Sequence, residues 1–275
     1  MKTMLNHPLL KSALLATLLG SATAMAGETK PAPMAPEPEP ESKFSGTLNF
    51  DYNTHFISYG FDVWGDGNDL SGGTFNPSLE LTWKLPAGFS AILGTWWDVN
   101  SKVDSAIGGN IQEIDVWAGV GYTVGDFSVT ALYQTWNYAS ETEDILDIKF
   151  AYATFLNPTL TIHNRLDEGA SGGNDGTIVQ LGLSHSVETG PVTISFPFTL
   201  AYFLEDDFHP ASTDSGLGYG SIGVTATLPL KFLGSEYGDW NLHGGINYYV
   251  TSDDVVANFV DDEFFTANIG IGCSF

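Results

Sequence analysis

Residues 264–275 read FFTANIGIGCSF and alternate between two kinds of side chain. Every second position is apolar, namely Phe265, Ala267, Ile269, Ile271, Cys273 and Phe275. The positions between them are small or polar, namely Thr266, Asn268, Gly270, Gly272 and Ser274. A period of two is that of a β-strand with two different faces. This pattern predicts a membrane-barrel strand, with an amphipathic strand of a soluble β-sandwich as the alternative.

The same alternation recurs upstream and divides the chain into twelve predicted strands. The other eleven cover 46–60, 74–85, 88–100, 111–124, 126–138, 144–156, 159–166, 176–187, 191–204, 216–230 and 239–251. Mostly tight turns follow the even-numbered strands. Generally longer, acidic, glycine-rich loops follow the odd-numbered ones, at 61–73, 101–110, 139–143, 167–175, 205–215 and 252–263. This sorting predicts an all-β fold, a transmembrane antiparallel up-and-down β-barrel of about 12 strands ending on Phe275, with ten or fourteen strands as alternatives.

The amino terminus predicts a secretory signal peptide at 1–26. Lys2 and Lys11 precede an apolar run over 13–19, and small residues end at Ala24-Met25-Ala26. That run is too short to span a bilayer. Residues 27–44 are rich in proline and glutamate and cannot bury a core, so we expect a solvated periplasmic leader before an outer-membrane barrel at 45–275.

The chain is strongly acidic, with 33 acidic and 9 basic residues and a formal net charge of −24. Most of the acids in the predicted barrel lie in or beside the long loops, where Lys102 is the only lysine or arginine. Such a surface repels nucleic acid, and it concentrates cations at the barrel mouth. An equal alternative is a solvated surface on which Ca²⁺ or Mg²⁺ bridges the loops to lipopolysaccharide.

Ionisable residues with inward parity are predicted to line the lumen. They are Asp51, His55, Glu80, Lys84, Asp98, Glu113, Asp115, Asp147, Lys149, His163, Arg165 and His243. A lumen of mixed charge forms either a water-filled path or a set of ion pairs that closes a narrow barrel. Side chains fill barrels of about eight strands, whereas about sixteen leave a wide channel. Both outcomes remain open, and a narrow, weakly selective pore is our working hypothesis.

Two further groups of residues bear on metal binding and on catalysis. The glycine-rich loop at 65–73 resembles one turn of a calcium-binding repeat, which makes Asp66 and Asp69 candidates for Ca²⁺, with a flexible acidic loop as the alternative. A lipid hydrolase would need a serine and a histidine together at the lipid boundary. Ser58 and His185 have lipid-facing parity but are predicted to lie near opposite ends of the barrel. We therefore predict no catalytic residues and no cofactor.

Between Phe50 and Tyr138 the chain resembles the TorF-type porins, a family of small outer-membrane barrels. The resemblance rests on the motifs FDYNTHFISYGFDVWG, FNPSLELTW, GFSAILGTWWDVN and EIDVWAGVGYTVGDFSVTALYQTWNYA. The best-matching positions are Glu113, Asp115, Gly119, Gly121, Tyr122, Tyr133 and Tyr138. One departure is Tyr59-Gly60, where the family usually has Arg-Gly. The resemblance implies a barrel and a transport function, and it supplies neither a substrate nor catalytic residues.

These patterns together predict a porin-like channel in the outer membrane of a Gram-negative bacterium. It would pass small solutes or ions by diffusion and favour cations. Its expected partners are membrane lipid, lipopolysaccharide and the barrel-assembly machinery, for which the terminal Phe275 resembles the usual signal. The alternative is a closed structural or adhesive barrel whose acidic loops bind divalent ions.

Overall fold

The computed structural model describes residues 42–167 and 172–275. The predicted signal peptide at 1–26 lies outside the described residues, as does the predicted leader as far as residue 41. No helix in the described ranges is long and apolar enough to cross a membrane.

The described residues form fourteen β-strands. They are β1 (Phe44–Asn53), β2 (Ile57–Ser58), β3 (Phe61–Asp62), β4 (Thr74–Lys84), β5 (Phe89–Val99), β6 (Ile111–Val124), β7 (Phe127–Asn137), β8 (Thr142–Tyr152), β9 (Thr159–Arg165), β10 (Gly176–Thr189), β11 (Val192–Phe203), β12 (Gly216–Pro229), β13 (Asp239–Thr251) and β14 (Glu263–Ser274). Short 3-10 helices lie at Pro86–Gly88, Lys231–Leu233 and Ser235–Tyr237.

Twelve of these strands close into one antiparallel barrel, as the sequence predicts. Each strand from β4 to β14 pairs with the next along the chain, and β1 pairs with both β4 and β14. The closing register sets Phe50 opposite Ile271 and Asp51 opposite Gly270. Closure gives every wall strand two hydrogen-bonded neighbours. Strands can cross the hydrocarbon core of a membrane only in such a closed sheet, because no water is present there to bond to backbone groups.

The barrel exterior is apolar. Large hydrophobic side chains with outward parity are exposed along the wall, among them Val120, Ile222 and Ile269, each 57–58% exposed. Connections at one end are mostly short, such as the two residues 125–126 and the two residues 190–191, and those at the other end are longer. An apolar belt with this sorting of turns and loops is the architecture of an outer-membrane β-barrel.

The first predicted strand, 46–60, is wrong beyond Asn53. There the chain leaves the wall and forms the small antiparallel hairpin β2–β3, in which Ile57 pairs with Asp62 and Ser58 with Phe61. We call residues 57–62 the plug hairpin. Continuing β1 along the wall would have turned the polar side chains of Thr54 and Ser58 towards lipid, which is costly.

The tip of the plug hairpin is the dipeptide Tyr59-Gly60. Both residues have positive φ, 48° and 85° respectively. A two-residue hairpin turn with two positive φ values matches the right-handed twist of its strands. A Cβ on Gly60 would lie 2.6 Å from ring atoms of Tyr219 on β12, so the tip packs closely against the barrel wall.

An apolar cluster holds the plug hairpin inside the long-loop end of the barrel. Phe61 packs with wall residues of β10 to β12 and with loop residues of 204–215 and 252–262. The buried members of this cluster are Phe61, Ile178, Ala201, Phe203, Phe208, Tyr219, Val255 and Val256. Several of them have no exposed surface at all. The principal apolar core among the described residues therefore lies inside the barrel mouth.

We predict that Gly60→Ala loosens the plug hairpin without opening the barrel wall. The added Cβ meets the Tyr219 ring, and alanine at positive φ costs about 1–2 kcal/mol. Chymotrypsin should cleave the aromatic-rich segment 54–73 of the folded variant on the order of tenfold faster than in the parent chain. Gel mobility before and after heating reports whether the barrel itself is intact.

The matched control is Gly125→Ala. Gly125 also has positive φ, 57°, but a Cβ there meets no heavy atom within 4 Å. It carries the same backbone cost at the short-turn end, away from the plug hairpin. Equal cleavage of 54–73 in the two variants would contradict the proposed packing of the tip.

Candidate functional site

Two cavities meet at the plug hairpin. The lower cavity, of about 620 Å³, extends along the wall strands as far as Thr225 and Asn268. The upper cavity, of about 350 Å³, is formed largely by loop residues of the long-loop end. The residues that line both cavities are Phe56, Ser58, Glu113 and Trp136. The plug hairpin thus lies between two spaces that share part of their lining.

Polar contacts fix the tip of the plug hairpin to the opposite wall. The Tyr59 hydroxyl lies 2.6 Å from Nδ1 of His163 on β9. Burial, and next the charge of Asp147, hold the pKa of Tyr59 well above its usual value, so the hydroxyl keeps its proton. Nε2 of His209 lies 3.2 Å from the Tyr59 carbonyl oxygen, which it can reach as a donor.

The second half of the hairpin is held by Asn258 from the loop at 252–262. The Asn258 amide donates to the Gly60 carbonyl over 3.1 Å, and its Oδ1 accepts from the backbone N–H of Asp62 over 2.7 Å. These bonds satisfy backbone groups that left the barrel wall at Asn53. A buried backbone group without a partner is costly, so they favour the docked position.

Asp62 and His55 both bond to Gly67 and so hold the 54–73 loop together. The Asp62 carboxylate accepts from the backbone N–H of Gly67 over 2.8 Å, and Nε2 of His55 lies 2.8 Å from the Gly67 carbonyl oxygen. Burial raises the pKa of Asp62, partly offset by that backbone donor. His55 is buried and lines the lower cavity, but it lies in the loop and not on a wall strand.

Four acids form a buried cluster on the wall beside both cavities. Asp98, Glu113, Asp115 and Glu143 lie on β5, β6 and β8, and each is at most 9% exposed. Glu113 accepts from the Tyr138 hydroxyl over 3.0 Å. We call these four residues the acidic wall. Buried carboxyl groups this close together do not all ionise, and a cation in the cavities would favour their charged form.

The Asp98 carboxylate is the most heavily hydrogen-bonded member of the acidic wall. It accepts from Trp64 Nε1 over 3.0 Å and from Asn100 Nδ2 over 2.8 Å. Thr74 and Asn76 also donate to it. Its donors come from loop and wall alike, so Asp98 fixes the base of the 54–73 loop against β4 and β5.

Arg165 is the only buried lysine or arginine in the described part of the chain. Its Nε lies 3.0 Å from Oε2 of Glu143, and Nη1 donates to the Phe208 carbonyl over 2.6 Å. The guanidinium carbon lies 4.0 Å from the centre of the Phe208 ring. Arg165 therefore neutralises one acid and anchors the loop at 204–215, which covers the plug hairpin.

Nearby, Asp147 and His163 form a second pair. Oδ1 of Asp147 lies 2.7 Å from His163 Nδ1, and its Oδ2 accepts from Gln134 over 2.6 Å. His163 is completely buried, whereas the Asp147 side chain keeps 15% exposure. Through Tyr59, this pair links the wall to the plug hairpin.

Asp51 and His243 pair away from the plug hairpin. Nε2 of His243 lies 2.6 Å from Oδ1 of Asp51, across the strand between them. Gly270 occupies the register position between both residues. A Cβ there would lie 2.6 Å from His243 Nε2 and closer still to Asp51, so the pair needs glycine at this position.

The remaining predicted lining residues lie towards the short-turn end or the middle of the wall. Glu80 accepts from Trp117 Nε1 over 3.1 Å. Lys84 ends β4 and is exposed, and Lys149 is exposed between Thr130 and Thr161. Of the twelve residues predicted from parity, the structure gathers Asp98, Glu113, Asp115, Asp147, His163 and Arg165 around the plug hairpin and places His55 at its base. A pore-lining role for the twelve stays a prediction.

The acids of the glycine-rich loop have other partners. Asp66 Oδ1 contacts Lys102 Nζ at 2.5 Å, and Asp69 Oδ1 accepts from the Ser71 backbone N–H over 2.8 Å. That donor also lowers the pKa of Asp69. Within 42–167 and 172–275, no group of three His, Cys, Asp or Glu residues is arranged to hold a metal ion.

The lipid-facing position predicted for Ser58 is wrong. Ser58 lies in the plug hairpin and lines both cavities, because the chain leaves the wall before reaching it. His185 is in β10 near the short-turn end, where Nδ1 lies 3.0 Å from the Phe155 carbonyl oxygen.

Parity does not identify Tyr59 at the tip of the plug hairpin, or Trp136, Tyr138 and His209 around it, as functional residues. Two signals in the sequence indicate that the chain leaves the wall and turns near Tyr59. Polar Thr54 and Ser58 break the apolar outward face of the first segment, and a glycine follows Tyr59 as in a tight hairpin.

No protein-family model matches the sequence. No curated protein matches it either. Similar solved structures include the NanC porin, 14% identical over 83% of this chain and 98% of that chain, with a TM-score of 0.44. The translocator domain of the autotransporter NalP from Neisseria meningitidis is 12% identical over 86% and 90%, with a TM-score of 0.41. An anion-selective porin from Comamonas acidovorans is 10% identical over 84% and 98%, with a TM-score of 0.35. At these values the likenesses carry no conclusion about what this chain does.

We predict that acid loosens the plug hairpin through His209. Burial, and next the charge of Arg165, lower the pKa of His209 to about 3, against an ordinary 6.5. Undocking returns His209 to its ordinary pKa, so the undocked form binds more protons between these values. Docking is therefore strongest above pH 6.5 and weakens as pH falls. Chymotrypsin cleavage of 54–73, normalised to the unfolded chain at each pH, should rise about tenfold from pH 7.5 to 5.5.

His209→Gln should flatten this profile, because glutamine can donate to Tyr59 but does not titrate. The raised pKa of Asp62 acts in the opposite direction, since the docked form then binds the extra proton. Asp62→Asn should therefore steepen the profile at its acid end. A parent profile that is flat from pH 7.5 to 5.5 would show that His209 does not control docking.

Proposed function

We propose that the chain is an outer-membrane, porin-like channel that passes small cations or small polar solutes by diffusion. The observation that carries this proposal is the pair of cavities that share Phe56, Ser58, Glu113 and Trp136. A solute passing the plug hairpin would cross at these residues. The passage would be narrow, because the hairpin and its apolar cluster occupy much of the barrel mouth.

An outer-membrane location is supported by the apolar exterior and by the sorting of turns and loops. In this orientation the short turns face the periplasm and the long acidic loops face outward. Insertion would use the barrel-assembly machinery, and divalent ions could bridge the loops to lipopolysaccharide. The motifs between Phe50 and Tyr138 support membership in the TorF-type porins, and their one departure, Tyr59-Gly60, is the tip of the plug hairpin.

A preference for cations is supported by the charges around the crossing point. The acidic wall supplies Glu113 to both cavities and Asp115 to the lower one, while Arg165 in the upper cavity is paired with Glu143. The lower cavity is lined by no lysine or arginine among the described residues. The acidic loops would add a longer-range attraction that salt screens.

The second candidate function is a closed structural or adhesive barrel with divalent-binding loops. The docking of the plug hairpin across the lumen favours it, since Tyr59, Gly60 and Asp62 all bond to residues outside the hairpin. The two functions differ in whether ions pass the hairpin.

The deciding measurement is the conductance of the refolded mature chain in a planar bilayer under a KCl gradient. A channel gives discrete steps, and the acidic wall predicts a reversal potential that favours K⁺. In the double variant Glu113→Gln/Asp115→Asn, the preference for K⁺ over Cl⁻ should fall on the order of tenfold, because the local field weakens. Asp126→Asn, in a short turn, is the matched control and should leave the preference unchanged.

Gly60→Ala supplies an independent readout in the same bilayers, because a loosened plug hairpin should give larger steps. Folded barrels without steps, in the parent chain and in Gly60→Ala alike, would overturn the channel and favour the closed barrel. Conductance steps with unchanged selectivity in the double variant would support the channel but show that the acidic wall does not determine its selectivity.

A further inference from the structure

The upper cavity has a composition that the passage of simple ions does not require. It is lined by six aromatic side chains from three different segments of the chain, namely Phe56, Phe61, Trp64, Trp136, Tyr138 and Phe259. Its volume of about 350 Å³ lies at the small end of the range for ligand pockets, about 300–1,000 Å³. Water-filled ion paths gain nothing from such a lining, whereas a ligand with an apolar body does.

The polar edges of the main rings are already bonded. Trp64 Nε1 donates to Asp98, and the Tyr138 hydroxyl donates to Glu113. Trp136 Nε1 lies 3.4 Å from Oε1 of Gln134. These bonds fix the rings, so what they offer a ligand is their π surface. Aromatic faces attract cations, and the attraction grows where water is excluded.

The acidic group of the upper cavity is Glu113, and a cation beside it would favour its ionised form. This carboxyl group is 4% exposed and lines the cavity together with Tyr138. The other charged side chain of the lining, Arg165, is paired with Glu143 and bonded to the Phe208 carbonyl. Asp115, two residues from Glu113 on the same inward face, is also buried, and a cation beside the two carboxyl groups would favour their ionised forms.

We propose that the upper cavity is a binding site for a monovalent organic cation with an aromatic or similarly apolar body, such as an arylalkylammonium ion. The rings pack against the apolar body, and the Glu113 carboxylate receives the ammonium group. In the channel, the site would hold such a cation before it crosses the plug hairpin. That last role rests on the proposed function, whereas binding itself does not.

The test compares three ligands of one shape on the refolded mature chain in neutral detergent micelles, by titration calorimetry. Benzylammonium, benzyl alcohol and benzoate differ chiefly in charge. Benzylammonium is expected to bind at least about tenfold more tightly than benzyl alcohol, and benzoate more weakly than either. Equal affinity for benzylammonium and benzyl alcohol, or preference for benzoate, would overturn the proposal.

Glu113→Gln locates the effect. Glutamine has the same shape and still accepts from Tyr138, so the advantage of benzylammonium over benzyl alcohol should largely disappear. Glu188→Gln, at the short-turn end of β10, is the matched control and should bind like the parent chain. An undiminished preference in Glu113→Gln would overturn the site. Should that variant not fold, the three-ligand series on the parent chain still decides.

Binding in micelles and conductance in bilayers separate this proposal from the channel. Charge-dependent binding without conductance steps supports the site and overturns the channel. Conductance steps without charge-dependent binding support the channel and overturn the site.

Discussion

The structure depends on one constraint, that a strand in the barrel wall must satisfy its backbone groups through its neighbours and show lipid an apolar side. Closure of β1 on β14 meets the first requirement for twelve strands. At Thr54 and Ser58 the sequence no longer meets the second, and the chain turns into the lumen. There the plug hairpin recovers its hydrogen bonds from Asn258 and His209. The features that narrow the barrel follow from this single departure from the wall.

Inside the barrel, charge is distributed unevenly. Histidine–carboxylate pairs lie at two places on the wall, Asp51 with His243 and Asp147 with His163. Four further carboxyl groups gather beside the plug hairpin, with Arg165 as the one buried lysine or arginine of the described residues. Arg165 also holds the Phe208 carbonyl, so it connects the acidic wall to the apolar cluster. The electrostatics of the cavities and the docking of the hairpin are therefore not independent: a change at Arg165 affects both.

The sequence alone predicts the barrel well because each wall strand repeats a two-residue period over ten or so positions. The strand bounds agree closely for β6, where the prediction and the structure both have 111–124. Parity also identifies Glu113 and Asp115 as inward. Parity cannot predict the position of residues that leave the wall, because inward and outward sides are defined only along a wall strand. Tyr59 meets His163, 104 residues away, only through the folded loop, and His209 approaches it from a third segment. Neither contact has a local signature.

Gly270 allows a side-chain contact across the barrel seam that depends on the register of β1 and β14. The strands that close the cylinder, β1 and β14, come from opposite ends of the described barrel, and Asp51 and His243 are separated by 192 positions. Their side chains meet only above Gly270, and therefore only after β1 has joined β14 in the correct register. A slip by one residue would turn Asp51 to the outer side. The contact between Asp51 and His243 thus forms only when the barrel is closed in the correct register, and it stabilises that state over an open or misaligned sheet.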